Sequence, residues 1–425
     1  MQRYLATLLH AALFIFAAAV HASPVPLPAF RLDLAQTTVS GLSSGAFMAV
    51  QFGVAHSSIV KGVGAIAGGP YYCAQGELDI ATSKCSCTGL FTLACDAKPG
   101  GTSLPALYQT TARYARTGRI DPIAKLAGQR IWLFSGSKDD VVPPAVMQDL
   151  LTYYRHYAKE ENIRFVGDVA AEHAFPTEDF GNGSCSDYGP PFINKCRLDG
   201  AGELLKWMYG DLKPKAAAQG GRLIEFDQTE FAPSRHTTEH GLAPTGFVYV
   251  PPACEAGTGA TCRLHIAFHG CKQNKEAVGD AFIRHAGYNE WADTNKLIIL
   301  YPQTQATTSN PNACWDWFNF DGDDPGYATK EGREISAVKA MVDRLAGINP
   351  PPVSVPWPRC ITASNAEHVQ AGRAHDWFFF ARANGSNQLL GLDNNFFVTT
   401  LRQVGGNYFE PAVKSGGAGR SQGGC

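Results

Sequence analysis

The sequence predicts a chain of the α/β class: one largely parallel sheet with helices on both faces, followed by a small C-terminal disulfide-closed module. Three observations lead there. From Thr38 to about Ala346, short apolar runs rich in β-branched residues alternate with amphipathic stretches, as a sheet covered by helices requires. Pro350, Pro351, Pro352, Pro356 and Pro358 then interrupt that alternation with a stretch that cannot continue a helix and reads as a stiff linker. Beyond it, Cys360 and Cys425 bound a segment with aromatic clusters of its own.

The first element is an export signal. Arg3 precedes an apolar stretch from Leu5 to Val20 broken only by Thr7 and His10, and Val20-His21-Ala22 offers small residues for cleavage before Ser23. The stretch is short, and the run Pro24, Pro26, Pro28 is no stop-transfer segment, so a membrane anchor is disfavoured. The expected product is soluble and secreted, either extracellular or periplasmic. Within residues 23–348, strands are expected at Ile59–Ala67, Ile131–Ser135, Ile163–Val169, Phe247–Val250, Leu264–Phe268 and Leu297–Tyr301. Helices are expected at Gly45–His56, Pro144–Lys159, Gly200–Tyr209, Glu276–Thr294 and Gly332–Ala346. Residues 349–359 form the linker and residues 360–425 the small module. Its aromatics, Trp377–Phe380 and Phe396–Phe397, are expected first as the module's own core or as packing on the hydrolase domain, and second as a polymer-binding face.

Composition narrows the function. At 425 residues and 45% hydrophobic side chains, the chain can bury a sizeable core and exceeds one minimal domain. Only 17% of residues are charged and the formal net charge is -2, against nucleic-acid binding, which needs a basic face to displace counterions. The 11% aromatic content argues against disorder. A monomer is expected, with no nucleic-acid or membrane partner.

All twelve cysteines follow the leader, an even number that points to disulfides in an oxidising compartment. Cys185 with Cys196 and Cys254 with Cys262 are close pairs, Cys360 with Cys425 would close the module, and the pairing among Cys73, Cys85, Cys87 and Cys95 is open. Zinc is disfavoured because no Cys-x-x-Cys occurs and His236-Thr237-Thr238-Glu239-His240 lacks the zincin order. No metal or cofactor is expected.

The strongest local signal is Val39-Ser40-Gly41-Leu42-Ser43-Ser44-Gly45-Ala46-Phe47-Met48, an extended run, a Gly-x-Ser-x-Gly turn, then an apolar helix. Glycines flank a nucleophilic serine there because the strand-to-helix turn is too tight for side chains. A second match, Gly419-Arg420-Ser421-Gln422-Gly423, has neither strand nor helix beside it and is set aside. Serine needs an imidazole base oriented by a carboxylate. Asp139 follows the strand ending at Ser135, and His173 follows the next strand, so the order Ser43, Asp139, His173 matches that of α/β-hydrolases. Asp140 and Glu172 compete for the acid role, with Asp139 favoured as nearer the strand end. His269 is the rival base.

His269-Gly270 also ends an apolar strand, which fits an oxyanion loop: the two donors would be the N–H groups of Ser44 and Cys271. That loop normally precedes the serine. Here it follows His173, so the simplest account is a circularly permuted hydrolase sheet, whose spatial arrangement permutation leaves intact.

With these motifs the chain resembles the extracellular poly(3-hydroxybutyrate) depolymerases of the circularly permuted type, from about Leu27 to Ala346. The resemblance rests on Ser40-Gly41-Leu42-Ser43-Ser44-Gly45, Ala67-Gly68-Gly69-Pro70-Tyr71, His173-Ala174-Phe175-Pro176-Thr177, Asp199-Gly200-Ala201-Gly202, His269-Gly270-Cys271, Gly287-Tyr288-Asn289, Trp291-Ala292-Asp293-Thr294-Asn295 and Cys314-Trp315-Asp316-Trp317. It implies Ser43 as nucleophile, Asp139 as acid, His173 as base, and the Ser44 and Cys271 N–H groups as the oxyanion hole. It also implies a Cys271–Cys314 bridge and Trp317 as an aromatic wall for the polyester, where spacing alone would make Trp317 a core residue. Departures from the family pattern are extra residues and cysteines around Cys85–Cys95, a shorter Pro302–Cys314 region, and the segment Pro350–Cys425. Within that segment, His368-Val369-Gln370-Ala371-Gly372-Arg373-Ala374 looks similar to tails of other secreted bacterial esterases.

The function expected is a secreted serine esterase acting on poly(3-hydroxybutyrate) or its oligomers. The same triad serves any ester, so a feruloyl or acetyl-xylan esterase is the alternative enzyme. A secreted polymer-binding protein without catalysis is the alternative of another class, and the intact Ser43, Asp139 and His173 count against it.

Overall fold

The computed structural model describes residues 24–89, 95, 97–232, 241–322, 324–348, 359–371, 373–384, 386, 388–405 and 408–411. The leader 1–22, linker residues 349–358, the stretch 236–240, the second serine motif 419–423 and Cys425 lie outside the described residues.

The chain enters its main sheet in the middle. β1 (Thr37–Leu42) is buried along its whole length and turns at once into α1 (Ser44–Ala55). β2 (Val60–Ile66), β3 (Arg130–Phe134) and β4 (Ile163–Val166) add outward from β1, each parallel to its neighbour. β5 (Phe175–Thr177) and β6 (Ile193–Lys195) pair separately. β7 (Arg222–Asp227) and β8 (Thr245–Val250) form the other edge, antiparallel, and β9 (Arg263–Phe268) and β10 (Leu297–Tyr301) fill the gap. The order is β4-β3-β2-β1-β9-β10-β8-β7, with β9 parallel to both β1 and β10. The chain therefore builds one half-sheet outward from β1, crosses to the far edge, and returns to lay β9 beside β1: the permuted hydrolase sheet.

Strand alternation sends successive side chains to opposite faces, and each face has its own helical cover. On one side Val39, Val63 and Ile266 meet Phe52 of α1, Leu150 of α4 (Pro144–Tyr157) and Met341 of α9 (Arg333–Leu345). On the other, Trp132 and Ala267 meet Leu204 and Met208 of α5 (Gly200–Tyr209) and Trp291 of α8 (Tyr288–Asn295).

Some elements differ from expectation. The helix expected over Glu276–Thr294 is three pieces, α6 (Lys275–Val278), α7 (Ala281–His285) and α8, because Gly279 (φ 60°) and Gly287 (φ 91°) take left-handed conformations that end a right-handed helix. Edge strand β7 and helices α2 (Leu78–Ser83) and α3 (Leu104–Arg116) went unread in the sequence. Disulfides join Cys73–Cys85, Cys87–Cys95, Cys185–Cys196, Cys254–Cys262 and Cys271–Cys314. Cys360 is disulfide-bonded as well. Among the described residues no helix is long and apolar enough to cross a membrane.

A polar network braces β1 against β9 inside the core. His265 bonds Thr38 Oγ1 through Nδ1 (2.7 Å) and Ser40 Oγ through Nε2 (2.8 Å). Those hydroxyls reach Tyr209 OH and Tyr288 OH, both at 2.7 Å, tying the strands to α5 and α8. Burial pushes the His265 pKa down to about 3, so the ring stays neutral and its two nitrogens divide donor and acceptor roles.

The C-terminal region holds two three-stranded antiparallel sheets. One comprises β11 (Arg359–Ser364), β15 (Val398–Gly405) and β16 (Tyr408–Pro411); the other comprises β12 (Ala374–Trp377), β13 (Phe380–Ala383) and β14 (Leu389–Leu392). Between them α10 (Asn365–Gln370) starts with a capping box of Ser364 and Glu367. Ala383, Leu401 and Phe409 are its core, so the expectation that the aromatics pack inside is corrected: Phe378 is 84% and Phe396 91% exposed. Phe378 and Phe396 sit in turns between strands, and among the described residues little covers them.

Beyond β10, two buried carboxyls meet. The Asp316 N–H donates to Glu334 Oε2 (2.7 Å), while Asp316 Oδ1 accepts from the Asn319 (2.7 Å) and Phe320 (3.2 Å) N–H groups. Burial, then the charge of Asp324, raises Asp316 to about 7; burial, then Asp316, raises Glu334 well above the carboxylate range. Acids raised on folding hold protons that the unfolded chain releases, so their contribution is complete below about pH 4 and fades as pH rises toward about 7. Urea midpoints of the native protein should therefore fall between pH 5 and pH 8 more steeply than those of Glu334→Gln. Parallel slopes for the two proteins would show that the pair does not titrate on unfolding.

Candidate active site

All the singled-out groups stand at the C-terminal edge of the parallel strands, where the loops leaving neighbouring strands converge. Ser43 follows β1, Asp139 follows β3, His173 follows β4, and Gly270-Cys271 follows β9.

The serine turn is set by sterics. Ser43 has φ 57° and ψ -125°, a left-handed conformation that costs a non-glycine residue about 1–3 kcal/mol. Its N–H donates to Ile66 O (2.9 Å), and its carbonyl accepts from the Ala46 and Phe47 N–H groups of α1. A Cβ at position 41 would fall 2.3 Å from the Gly45 carbonyl oxygen, and one at position 45 would fall 2.3 Å from that of His269. Both glycines are thus dictated by backbone passing backbone, which presses the turn onto the end of β9.

The acid and base loops are laced together. Ser137 N–H donates to Val169 O (2.9 Å) and Lys138 N–H to Ala171 O (3.1 Å). Asp139 Oδ2 accepts from His173 Nδ1 at 2.9 Å, and Asp139 Oδ1 accepts from the N–H groups of Val141 (2.9 Å) and Val142 (2.8 Å). Both side chains are buried. With Nδ1–H committed to the carboxylate, Nε2 is the basic nitrogen. The two competitors for the acid role sit elsewhere. Asp140 is exposed, and Glu172 Oε1 accepts from the backbone N–H of His173 (3.0 Å), so it shapes the loop without touching the imidazole.

His269 is not arranged as a base. Nδ1 lies 2.7 Å from Gly270 O, Nε2 accepts from the Thr304 N–H (3.1 Å), and burial pushes its pKa down to about 4. The loop it begins lies against the nucleophile, since a Cβ at Gly270 would be 3.4 Å from Ser43 Cβ. Among the described residues, neither the Ser44 N–H nor the Cys271 N–H has a backbone or side-chain acceptor. Two free amide donors flanking a serine are what a developing oxyanion needs.

The Cys271–Cys314 bridge draws the Trp315–Trp317 segment to this loop. Trp315 is fully buried against Phe268, with ring centroids 4.9 Å apart. Trp317 stacks on Phe47, one helical turn from Ser43, at 4.0 Å and 14°, and is 7% exposed. Sequence reasoning missed Gln273, whose buried amide accepts from Gly270 N–H (2.8 Å), and the Asp316–Glu334 pair beside Trp317. A polar residue three positions after His269-Gly270 was the only local sign of the first.

Comparison with known proteins places the chain. Residues 246–348 match the family model described as esterase PHB depolymerase. The chain is 46% identical over 355 residues to a poly(3-hydroxybutyrate) depolymerase of Delftia acidovorans, covering 82% of this chain and 68% of that protein. It is 36% identical over 343 residues to a polyhydroxybutyrate depolymerase of Talaromyces funiculosus, covering 77% and 94%. The crystal structure of the PHB depolymerase from Penicillium funiculosum superposes with a TM-score of 0.67 at 33% identity, covering 76% of this chain and 99% of that one. A serine-to-alanine form of a PHB depolymerase, complexed with an R3HB trimer, superposes equally well. With this relationship and this α/β fold, the chain belongs to the poly(3-hydroxybutyrate) depolymerase family of carboxylic ester hydrolases.

Proposed function

We propose that this chain is a secreted serine esterase that cleaves the ester bonds of poly(3-hydroxybutyrate) or its oligomers through an acyl-enzyme on Ser43. The observation that carries the reading is the His173–Asp139 pair on laced loops at the same sheet edge as a serine held at φ 57°. His173 Nε2 takes the Ser43 proton as the oxygen attacks the ester carbonyl. The Ser44 and Cys271 N–H groups receive the oxyanion, each such donor contributing roughly 10²–10³ in turnover. His173 then protonates the departing hydroxyl end, and water, activated by the same imidazole, releases the acyl end. Trp317, stacked on Phe47 and 7% exposed, is packed into the core as spacing alone suggests, and the family resemblance supports it as the wall for the chain. The family relationship favours a polyester over feruloyl or acetyl-xylan esters. Five disulfides among the described residues and the N-terminal leader pattern support secretion.

The C-terminal module anchors the enzyme on insoluble polymer in this reading. Trp377 pairs with Phe380 across a hairpin whose tip is Phe378-Phe379, and the Asp393 N–H donates to Phe379 O (2.9 Å), bringing the Asn394–Phe397 turn to the same end. Leu392 lies beside Phe380 in β14. The result is a cluster of exposed aromatics at one hairpin end, suited to an apolar polyester surface.

Ser43→Ala should abolish hydrolysis of a soluble hydroxybutyrate trimer without shifting the thermal midpoint downward. Asp139→Asn should lose roughly 10⁴ in turnover while Asp140→Asn stays close to native, because only the first orients the imidazole. A larger loss at position 140, read by trimer assay, would reassign the acid. Replacing Phe378, Phe379 and Phe396 together with serine should weaken adsorption to polymer film and spare trimer hydrolysis, since a second contact acts only by raising concentration at the surface. Unchanged film adsorption would remove the anchoring role.

A further inference from the structure

The oxyanion loop is held by two side chains that no step of ester cleavage uses. A peptide group is planar, so the Gly270 carbonyl and the Cys271 N–H belong to one rigid unit and point in opposite directions. Whatever fixes the carbonyl aims the N–H. His269 does the fixing: the Thr304 N–H donates to its Nε2 (3.1 Å), which leaves the ring proton on Nδ1, and Nδ1–H donates to Gly270 O (2.7 Å). The ring is fully buried, and burial keeps it neutral, so this tautomer persists. Thr304 is itself anchored, its hydroxyl donating to Ala313 O (2.6 Å) next to the Cys271–Cys314 bridge.

Gln273 holds the preceding peptide. Its Oε1 accepts from Gly270 N–H (2.8 Å), and its Nε2 donates to Pro191 O (3.0 Å) and Phe192 O (3.1 Å). Phe192 O also accepts from the Phe175 N–H (2.8 Å), two residues after His173. One amide side chain therefore ties the oxyanion loop to β5, which begins two residues after His173.

We infer that His269 and Gln273 are positioning residues that aim the Cys271 N–H at the transition-state oxyanion and keep it in register with His173. This rests on the proposed serine mechanism. Such residues act on the transition state more than on the bound ester, so the expected signature is a fall in kcat with KM nearly unchanged.

The test uses the full-length protein, a soluble hydroxybutyrate trimer and an alkyl boronate, which forms a tetrahedral adduct on an active serine. His269→Leu should lower kcat roughly 10- to 100-fold, short of or equal to losing one oxyanion donor, with KM within about twofold. Boronate affinity should fall by a similar factor, while trimer binding measured in the Ser43→Ala background should not change. His269→Asn restores an N–H near the Nδ1 position and should recover most of the loss. If the leucine variant does not fold, Gln273→Met is read by the same split. Native kcat in these variants, or equal losses in trimer binding and turnover with no recovery by asparagine, would overturn the inference. An active Ser43→Ala protein would overturn the serine mechanism and this inference together, whereas an inactive Ser43→Ala protein beside an unaffected His269→Leu overturns the inference alone.

Discussion

Backbone against backbone, at the point where the serine turn meets the end of β9, is the contact on which the rest of the site depends. The carbonyls of Phe268 and His269 come so near α1 that position 45 has no room for a Cβ, and Gly45 in turn excludes one at position 41. Only with both glycines can Ser43 hold its left-handed conformation between β1 and α1. That closeness lays the loop after β9 against the serine, a Cβ at Gly270 falling 3.4 Å from Ser43 Cβ, which is why the Ser44 and Cys271 N–H groups are the proposed oxyanion donors. A static pair of donors needs no rearrangement when charge develops, which is where preorganised electrostatic stabilisation gains its effect.

Such a site stores strain, so its surroundings must be stiff. The stiffness comes from below and from the sides. Below, His265 locks β1 to β9 through Thr38 and Ser40, in a buried network whose hydroxyl members each find a partner. A half-satisfied network there would cost more than an apolar core, and a full one specifies a single register. At the sides, disulfides close loops close to the chemistry: Cys185–Cys196 spans the ribbon beside His173, with Glu172 N–H donating to Cys185 O, and Cys271–Cys314 fastens the oxyanion loop to the tryptophan segment.

The aromatic module obeys a different logic. Among the described residues its apolar core cluster is small, Ala383, Leu401 and Phe409 with Ile361 and Leu390 against them, while Phe378, Phe379 and Phe396 face outward. Phe409 is the aromatic the module buries, and the aromatics of the hairpin tip are not part of that core. Their exposure on a hairpin tip and an adjoining turn leaves them free for the proposed contact with polymer.

What the sequence determined by itself was whatever short-range sterics and periodicity dictate. The Gly-x-Ser-x-Gly turn, the strands that bear Asp139 and His173, the identity of α1, α4, α5 and α9, and the permuted strand order were legible, because a tight turn demands glycine locally and because strand order follows from which motif precedes which. Tertiary structure decided the rest. The break of one expected helix at Gly279 and Gly287 depends on backbone angles that periodicity does not report. The choice of Asp139 over Asp140 is one of direction, a buried carboxylate turned toward the imidazole beside an exposed neighbour turned away. His269, a rival base by sequence, instead joins Gly270 O to the Thr304 N–H, because the contacts of a ring depend on which elements pack over it. The outward aromatics of the module followed the same rule: composition counts apolar side chains, and only packing determines which of them find a facing layer.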